Sequence, residues 1–424
     1  MQMVQIVILT ILVFFIIVTI HEWGHFIFAK RAGILVREFA IGFGPKVFSH
    51  TRGETRYTLR LLPVGGFVRM AGEDPDLVQI QPGQTIAVRL KDNQVTKLYL
   101  DQLDMRKQVV RGEVKEIDLE HALKLTMDVE GEEVTYDVHP QAKMIVKGED
   151  TQIAPYHRQF GSKTVGQRAL AIFAGPFMNF VLAFILFGAY IQMVGMPVEN
   201  PSYVKIGDVT PNMPAAEANL QKGDIIEKVN DFAVGGNRDK MIDIIEKSEG
   251  KPVEMTIVRG EERFTVRLTP VKVEGQEGGK VGIVPVFPTR SASIGETVKY
   301  AGISMVDTTQ RIFEGFRMLI FGQFSLDDLG GPVRTFEVTG QFAKQGIGQL
   351  TLWTAILSLY LGIFNLLPIP ALDGSRLVFL GIEGLRGKPV DPNRESMVHF
   401  VGFAMLMLLM LAVTYNDILR LVKG

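Results

Sequence analysis

The apolar positions of this 424-residue chain gather into four runs, each near the roughly 20 residues needed to cross a bilayer. They cover Met3 to Ala29, Ala169 to Gly195, Leu350 to Leu372 and Met397 to Tyr415. The first has no basic leader and no small-residue cleavage site behind it, which predicts a retained span rather than a secretion signal. Between the spans the period changes. Residues 30–168 open with the Gly-rich, strand-like FAIGFGPKVF and YTLRLLPVGGFVRM. TIAVRL, VTKLYL and EVTYDV follow with apolar and polar positions alternating, and together they predict a β-rich module. Residues 200–285 form a second polar segment, with strand patterns in PVEMTIVRG and ERFTVRLTP. Residues 292–322 have helical spacing without a full span. They predict an amphipathic helix, lying either on the membrane surface or against the domain before it.

Basic residues near the span ends orient this pattern. Lys30, Arg31 and Arg37 follow the first span, Lys163 and Arg168 precede the second, and Arg376, Arg386, Lys388 and Arg394 separate the third from the fourth. With alternating spans all of these fall on the cytoplasmic side. Arg420 and Lys423 point the other way and are outnumbered. The expected fold is a multi-pass α-helical membrane protein of about four spans. It adds membrane-associated β-strands, a cytoplasmic β-rich insertion and one extracytoplasmic domain. The expected boundaries are 1–71 for the first span and Gly-rich strands, 72–162 for the insertion and 163–196 for the second span. The outer domain takes 200–285, an amphipathic linker 290–345, and the last two spans 346–424. A mean hydropathy of +0.18 beside 21% charged residues fits such a mixture. The net charge of -1 gives no ground for a nucleic-acid partner, so none is expected. The absence of Cys excludes disulfides and thiolate metal ligands.

The first span ends in TIHEWGHFIFA. His21 and His25, four apart on a helix, place two imidazoles on one face, where they can share one tetrahedral Zn2+. Glu22 beside them is a candidate general base. Ionisable groups inside an apolar span are costly, and this favours a functional reading. A catalytic zinc takes three protein ligands. His50, His121, His139, His157 and His399 carry no supporting pattern. The third span offers NLLPIPALDGSR, where Pro368 and Pro370 cannot continue a helix and Asp373 supplies a carboxylate. The first and third spans run in the same direction. At 1.5 Å per residue His25 lies about 6 Å from the inner end of its helix, so Asp373 can reach the same depth. Plainer readings remain at this point: imidazoles bonded to neighbouring helices, and an Asp-Gly turn that only ends a helix.

These motifs, in this order, resemble the site-2 proteases, intramembrane zinc metalloproteases, in their bacterial branch with a PDZ domain that cleaves anti-sigma factors. HEWGH matches the zinc-binding helix and NLLPIPALDG the second family motif. AGPFMN, with Gly175, Pro176 and Asn179, resembles the motif of the second span, and GGPV at 330–333 another recurring element. The outer segment, with Leu220, Gly223, Asp224 and Asn230, resembles a protease-associated PDZ domain. The resemblance implies zinc on His21, His25 and Asp373, Glu22 as base, and Asn365, Gly65 and Gly66 near the substrate backbone. It implies a bacterial plasma-membrane enzyme whose partners are the lipid bilayer and single-span substrates, such as trimmed anti-sigma factors or signal-peptide remnants. Two departures stand out: the segment from about Gly72 to Tyr156 exceeds the minimal core, and there is one outer domain where some members have two. The rivals are a transporter with broken helices, for which four spans are few, and a membrane-anchored PDZ scaffold, which the intact Glu22 argues against.

Overall fold

A computed structural model describes the chain except for residues 1–2, 74–79, 147, 199–202, 235–237, 274–277, 287, 323–329 and 424. Among the described residues it contains helices α1 (Met3–Arg31), α2 (Val165–Val194), α3 (Pro214–Glu217), α4 (Arg238–Lys247) and α5 (Ile294–Ile320). These are followed by α6 (Pro332–Lys344), α7 (Ile347–Leu366), α8 (Asp373–Arg386) and α9 (Pro392–Lys423). α1, α2, α7 and α9 are long and apolar enough to cross a membrane. The third apolar run is expected to continue to Leu372, but its helix stops at Leu366. Pro368 and Pro370 withhold the donors the next turn would need. The chain turns through Ala371, at φ +75°, and helix resumes at Asp373. Gly374 allows this sharp return, since a Cβ there would stand 2.3 Å from the carbonyl oxygens of Leu366 and Leu367.

The chain divides into two compact units, Met1–Phe187 with Ile303–Gly424, and Gly188–Gly302. In the first, α1 and α2 meet through small residues: a Cβ on Gly24 would lie 2.2 Å from the carbonyl oxygen of Ala174. After α1 come two long strands, β1 (Val36–Arg52) and β2 (Thr55–Met70). Residues 38–41 are flanked on both sides. They pair with 66–69 from Glu38 with Arg69 to Ile41 with Gly66, and with 56–59 from Glu38 with Arg56 to Ile41 with Leu59. The hairpin therefore doubles back on itself, and among the described residues no strand pairs with the other side of 66–70.

Residues 85–152 form β3 (Thr85–Lys91), β4 (Gln94–Tyr99), β5 (Val110–Asp118), β6 (Lys124–Val129), β7 (Glu132–Val146) and β8 (Glu149–Gln152). They run in the order β4-β3-β5-β6-β7-β8, and β4 also pairs with β7 in parallel, which closes a small barrel. Ile86, Val88, Leu98, Val114, Leu125 and Met127 fill it. The tip of the β1–β2 hairpin is clamped to this barrel region. Glu54 accepts two hydrogen bonds from Arg158, at 2.5 and 2.8 Å, and others from Gln141 and Gln152. Lys46 pairs with Glu149 at 2.9 Å, and Arg56 pairs with Asp150.

The Arg158 guanidinium holds the Glu54 carboxyl down to about 2 from its ordinary 4.5. A depressed carboxyl contributes stability that is whole above its unfolded value and lost as pH falls through its folded one. The thermal midpoint of the wild type is therefore expected to exceed that of Glu54→Gln by a constant margin from about pH 5 upward. The margin should shrink between pH 4.5 and about 2, and a margin independent of pH would show that the charge on Glu54 contributes nothing to it.

The second unit is built on strands at 262–268, 253–259, 225–229, 204–209 and 283–286, in that spatial order, with α3 and α4 beside them. Ile206, Ile226, Met241, Met255 and Ile257 make its core. Asp224 is buried and takes Arg259 Nε and Nη2 at 2.7 Å each, fixing the turn before the strand at 225–229.

Candidate active site

The helical repeat of α1 stacks His21 and His25 on one face, with ring centroids 4.8 Å apart and the rings nearly perpendicular. Their Nε2 atoms stand 3.2 Å apart, and Asp373 Oδ2 lies 3.3 Å from each. The three atoms form an almost equilateral triangle. Two donors bound tetrahedrally to zinc at about 2.0–2.1 Å stand about 3.3–3.4 Å apart, so the triangle has the dimensions of one face of a zinc tetrahedron. Asp373 Oδ2 is buried without a hydrogen-bond partner among the described residues, as expected of an atom reserved for a cation. His21, His25 and Asp373 can thus hold one metal ion.

The far side of each ring is tied to α2. His25 Nδ1 donates to the carbonyl oxygen of Ala171 at 2.9 Å, which leaves a lone pair on Nε2. His21 Nδ1 faces the side-chain amide of Asn179 at 3.2 Å. The Oδ1 atom of Asn179 is buried without a partner. Turning the amide over lets that oxygen accept the Nδ1 proton, and both histidines then present Nε2 lone pairs to the same point. Asn179 is fully buried, and its carbonyl oxygen accepts Ser358 Oγ from α7 at 3.0 Å.

α2 also supplies clearance. A Cβ on Gly175 would lie 2.2 Å from His25 Nε2. Gly175→Ala is expected to displace the imidazole and lower metal affinity by at least the roughly 10–100-fold typical of a lost supporting contact. Zinc stoichiometry after dialysis measures this, and full retention of zinc would show that the helix pair yields instead.

His21, Glu22, His25, Gly66, Asn365 and Asp373 all line one cavity of about 1280 Å³. Glu22 is buried and is pressed by the hairpin: a Cβ on Gly66 would stand 2.8 Å from its Cγ. Asn365 Nδ2 donates back to the carbonyl oxygen of Leu361 at 3.1 Å. Gly65 is not in the wall. It makes the bend beside it at φ +78°, where a Cβ would meet the Phe43 ring at 2.6 Å.

Four contributors had no role assigned from the sequence. Asn179 and Gly175 sit in a motif singled out from the sequence, but their partners are 158 and 150 positions away in the chain. Arg376 follows Asp373 by one turn, lines the same cavity and is ion-paired with Glu73. His399, set aside as patternless, accepts the Ala371 N–H at Nδ1, 3.1 Å away, and so steadies from α9 the left-handed turn that presents Asp373. The Arg at i+3 from the carboxylate could have been found by helical spacing; His399 offers no local signal.

Residues 9–409 match the profile of peptidase family M50. The chain is 42% identical over 419 residues to zinc metalloprotease RasP of Oceanobacillus iheyensis, covering 97% of this chain and 98% of the relative. It is 44% identical over 422 residues to the regulator of sigma-W protease RasP of Bacillus subtilis, covering 99% of each. Among solved structures, the PDZ domain of an SdrC-like protein from Listeria monocytogenes aligns at 23% identity over 20% of this chain and 88% of its own. The TM-score is 0.19.

Proposed function

The chain belongs to peptidase family M50 and is an intramembrane zinc metalloprotease of regulated intramembrane proteolysis, and we propose that His21, His25 and Asp373 hold its zinc while Glu22 is its general base. The observation that carries this reading is the triangle of Nε2, Nε2 and Oδ2 with edges of 3.2–3.3 Å beside the buried Glu22. Zinc, when bound there, polarises the scissile carbonyl. Glu22 takes the proton of the attacking water and delivers it to the leaving amine. A peptide bond inside a transmembrane helix is already hydrogen-bonded, so the substrate must be extended before it is cut. The unpaired side of residues 66–70, in the same wall as Glu22, can take that extended segment as an added strand. Gly66 allows the close approach, and Asn365 faces the same space.

The substrates proposed are single-span membrane proteins, anti-sigma factors already trimmed outside or signal-peptide remnants. The relative named as a regulator of sigma-W protease supports the first. The basic residues at the span ends support a site near the cytoplasmic face of the bacterial plasma membrane, with residues 200–285 outside as a PDZ-like domain. Because the chain has no Cys, single introduced cysteines labelled from either side of sealed vesicles test that orientation. For the chemistry, the purified protein is expected to carry one zinc per chain and to cut a reconstituted single-span substrate. Chelation should abolish cutting and added zinc restore it. Undiminished cleavage by protein shown to be metal-free would overturn the assignment.

A further inference from the structure

The barrel of residues 85–152 exceeds what the chemistry needs, yet it forms part of the catalytic cavity. Ile117 and Leu119, at and just past the end of β5, and Met144 of β7 stand in the same wall as His21, Glu22 and Asp373. The cavity, about 1280 Å³, is larger than the roughly 300–1,000 Å³ usual for a small-molecule site. The chain direction is informative. Strand β2 touches Glu22 at Gly66 and runs from there to Met70, and Ala71 is then bonded to the strap leading out of the barrel, Phe160 N–H to Ala71 O at 2.7 Å. A partner strand along 66–70 would advance about 13 Å at 3.3 Å per residue, away from Glu22 and towards the barrel. The Glu54–Arg158 and Lys46–Glu149 clamps hold the barrel to the hairpin that sets this path.

We infer that the barrel is a docking wall for the substrate itself, receiving the segment that flanks the scissile bond on the barrel's side. This rests on the protease reading above. The chemistry of the wall describes the occupant. Ile117 and Leu119 are half-buried and apolar, and Glu120 beyond them is exposed and in the same wall. Arg376 and Arg168 of this cavity are already paired, with Glu73 and Glu383. An extended segment with apolar side chains followed by a Lys or Arg fits this order of groups. The cytoplasmic end of a membrane span characteristically carries that sequence.

The test uses the full-length protein in liposomes with two single-span substrates that differ only in the flank, one bearing Lys and the other Glu after the apolar stretch. Wild type is expected to prefer the Lys flank about two- to fivefold in kcat/KM, the size of an exposed ion pair, and Glu120→Lys to reverse the preference. Glu120 is exposed, so this exchange leaves the barrel core intact. In the Glu22→Gln protein, a photo-crosslinking residue at 120 is expected to capture the flank on the barrel's side of the cut. An unchanged preference together with no adduct overturns the docking wall while leaving the protease reading intact. Failure of wild type to cut either substrate would instead strike at that reading.

Discussion

Glu22→Gln is expected to keep one zinc per chain and the wild-type thermal midpoint, and to lose about 10²–10⁴-fold in kcat, the contribution typical of a positioned general base. The site explains the separation of effects. Glu22 lies outside the triangle of metal-donor atoms formed by His21, His25 and Asp373. The amide has the shape of the carboxylate, which matters because Gly66 leaves no slack around the Glu22 side chain. What changes is the capacity to accept and return a proton. Zinc analysis, thermal unfolding and single-turnover cleavage on the same preparation distinguish the outcomes. Activity within a few-fold of wild type would remove Glu22 from the mechanism, and loss of zinc would make it a supporting group for the metal.

Asp373→Asn should have the opposite signature. It deletes the only anionic donor of the triangle, so metal affinity should fall by more than the roughly 10–100-fold that follows loss of an outer hydrogen bond. Wild type gains about 4 kcal/mol of stability at a thousandfold excess of zinc over its Kd, whereas the variant should gain little at that same zinc concentration. The zinc-induced rise in unfolding temperature therefore reports on the site without any substrate. A full rise in Asp373→Asn would mean that another group completes the coordination.

Much of the scaffold was legible because hydrophobic periodicity is local. Four runs, two prolines and an Asp-Gly pair were enough to anticipate long helices and a break before Asp373. The break came six residues sooner than the apolar pattern suggested, since a proline acts on the turn that precedes it. Alternation also exposed β3, β4 and part of β7, while β5, β6 and β8 were not singled out. Their closure through the parallel pairing of β4 with β7 is a long-range fact that alternation cannot carry. The doubled hairpin was hidden for the same reason: residues 38–41 have partners on both sides, and their composition is that of any Gly-rich strand. Gly24, Gly175 and Gly374 were the least readable, because each is required by the absence of space in a neighbouring element.

The three atoms proposed to hold zinc lie far apart in the chain. Two belong to α1, and the third arrives only at Asp373, about 350 residues later in synthesis. With that assignment, a chain emerging from the ribosome carries two of the three proposed ligands and lacks the third until α8 is made. Fragments from stalled translation before α8 should then be unarmed, and the nascent chain should be unable to cut the proteins entering the membrane beside it.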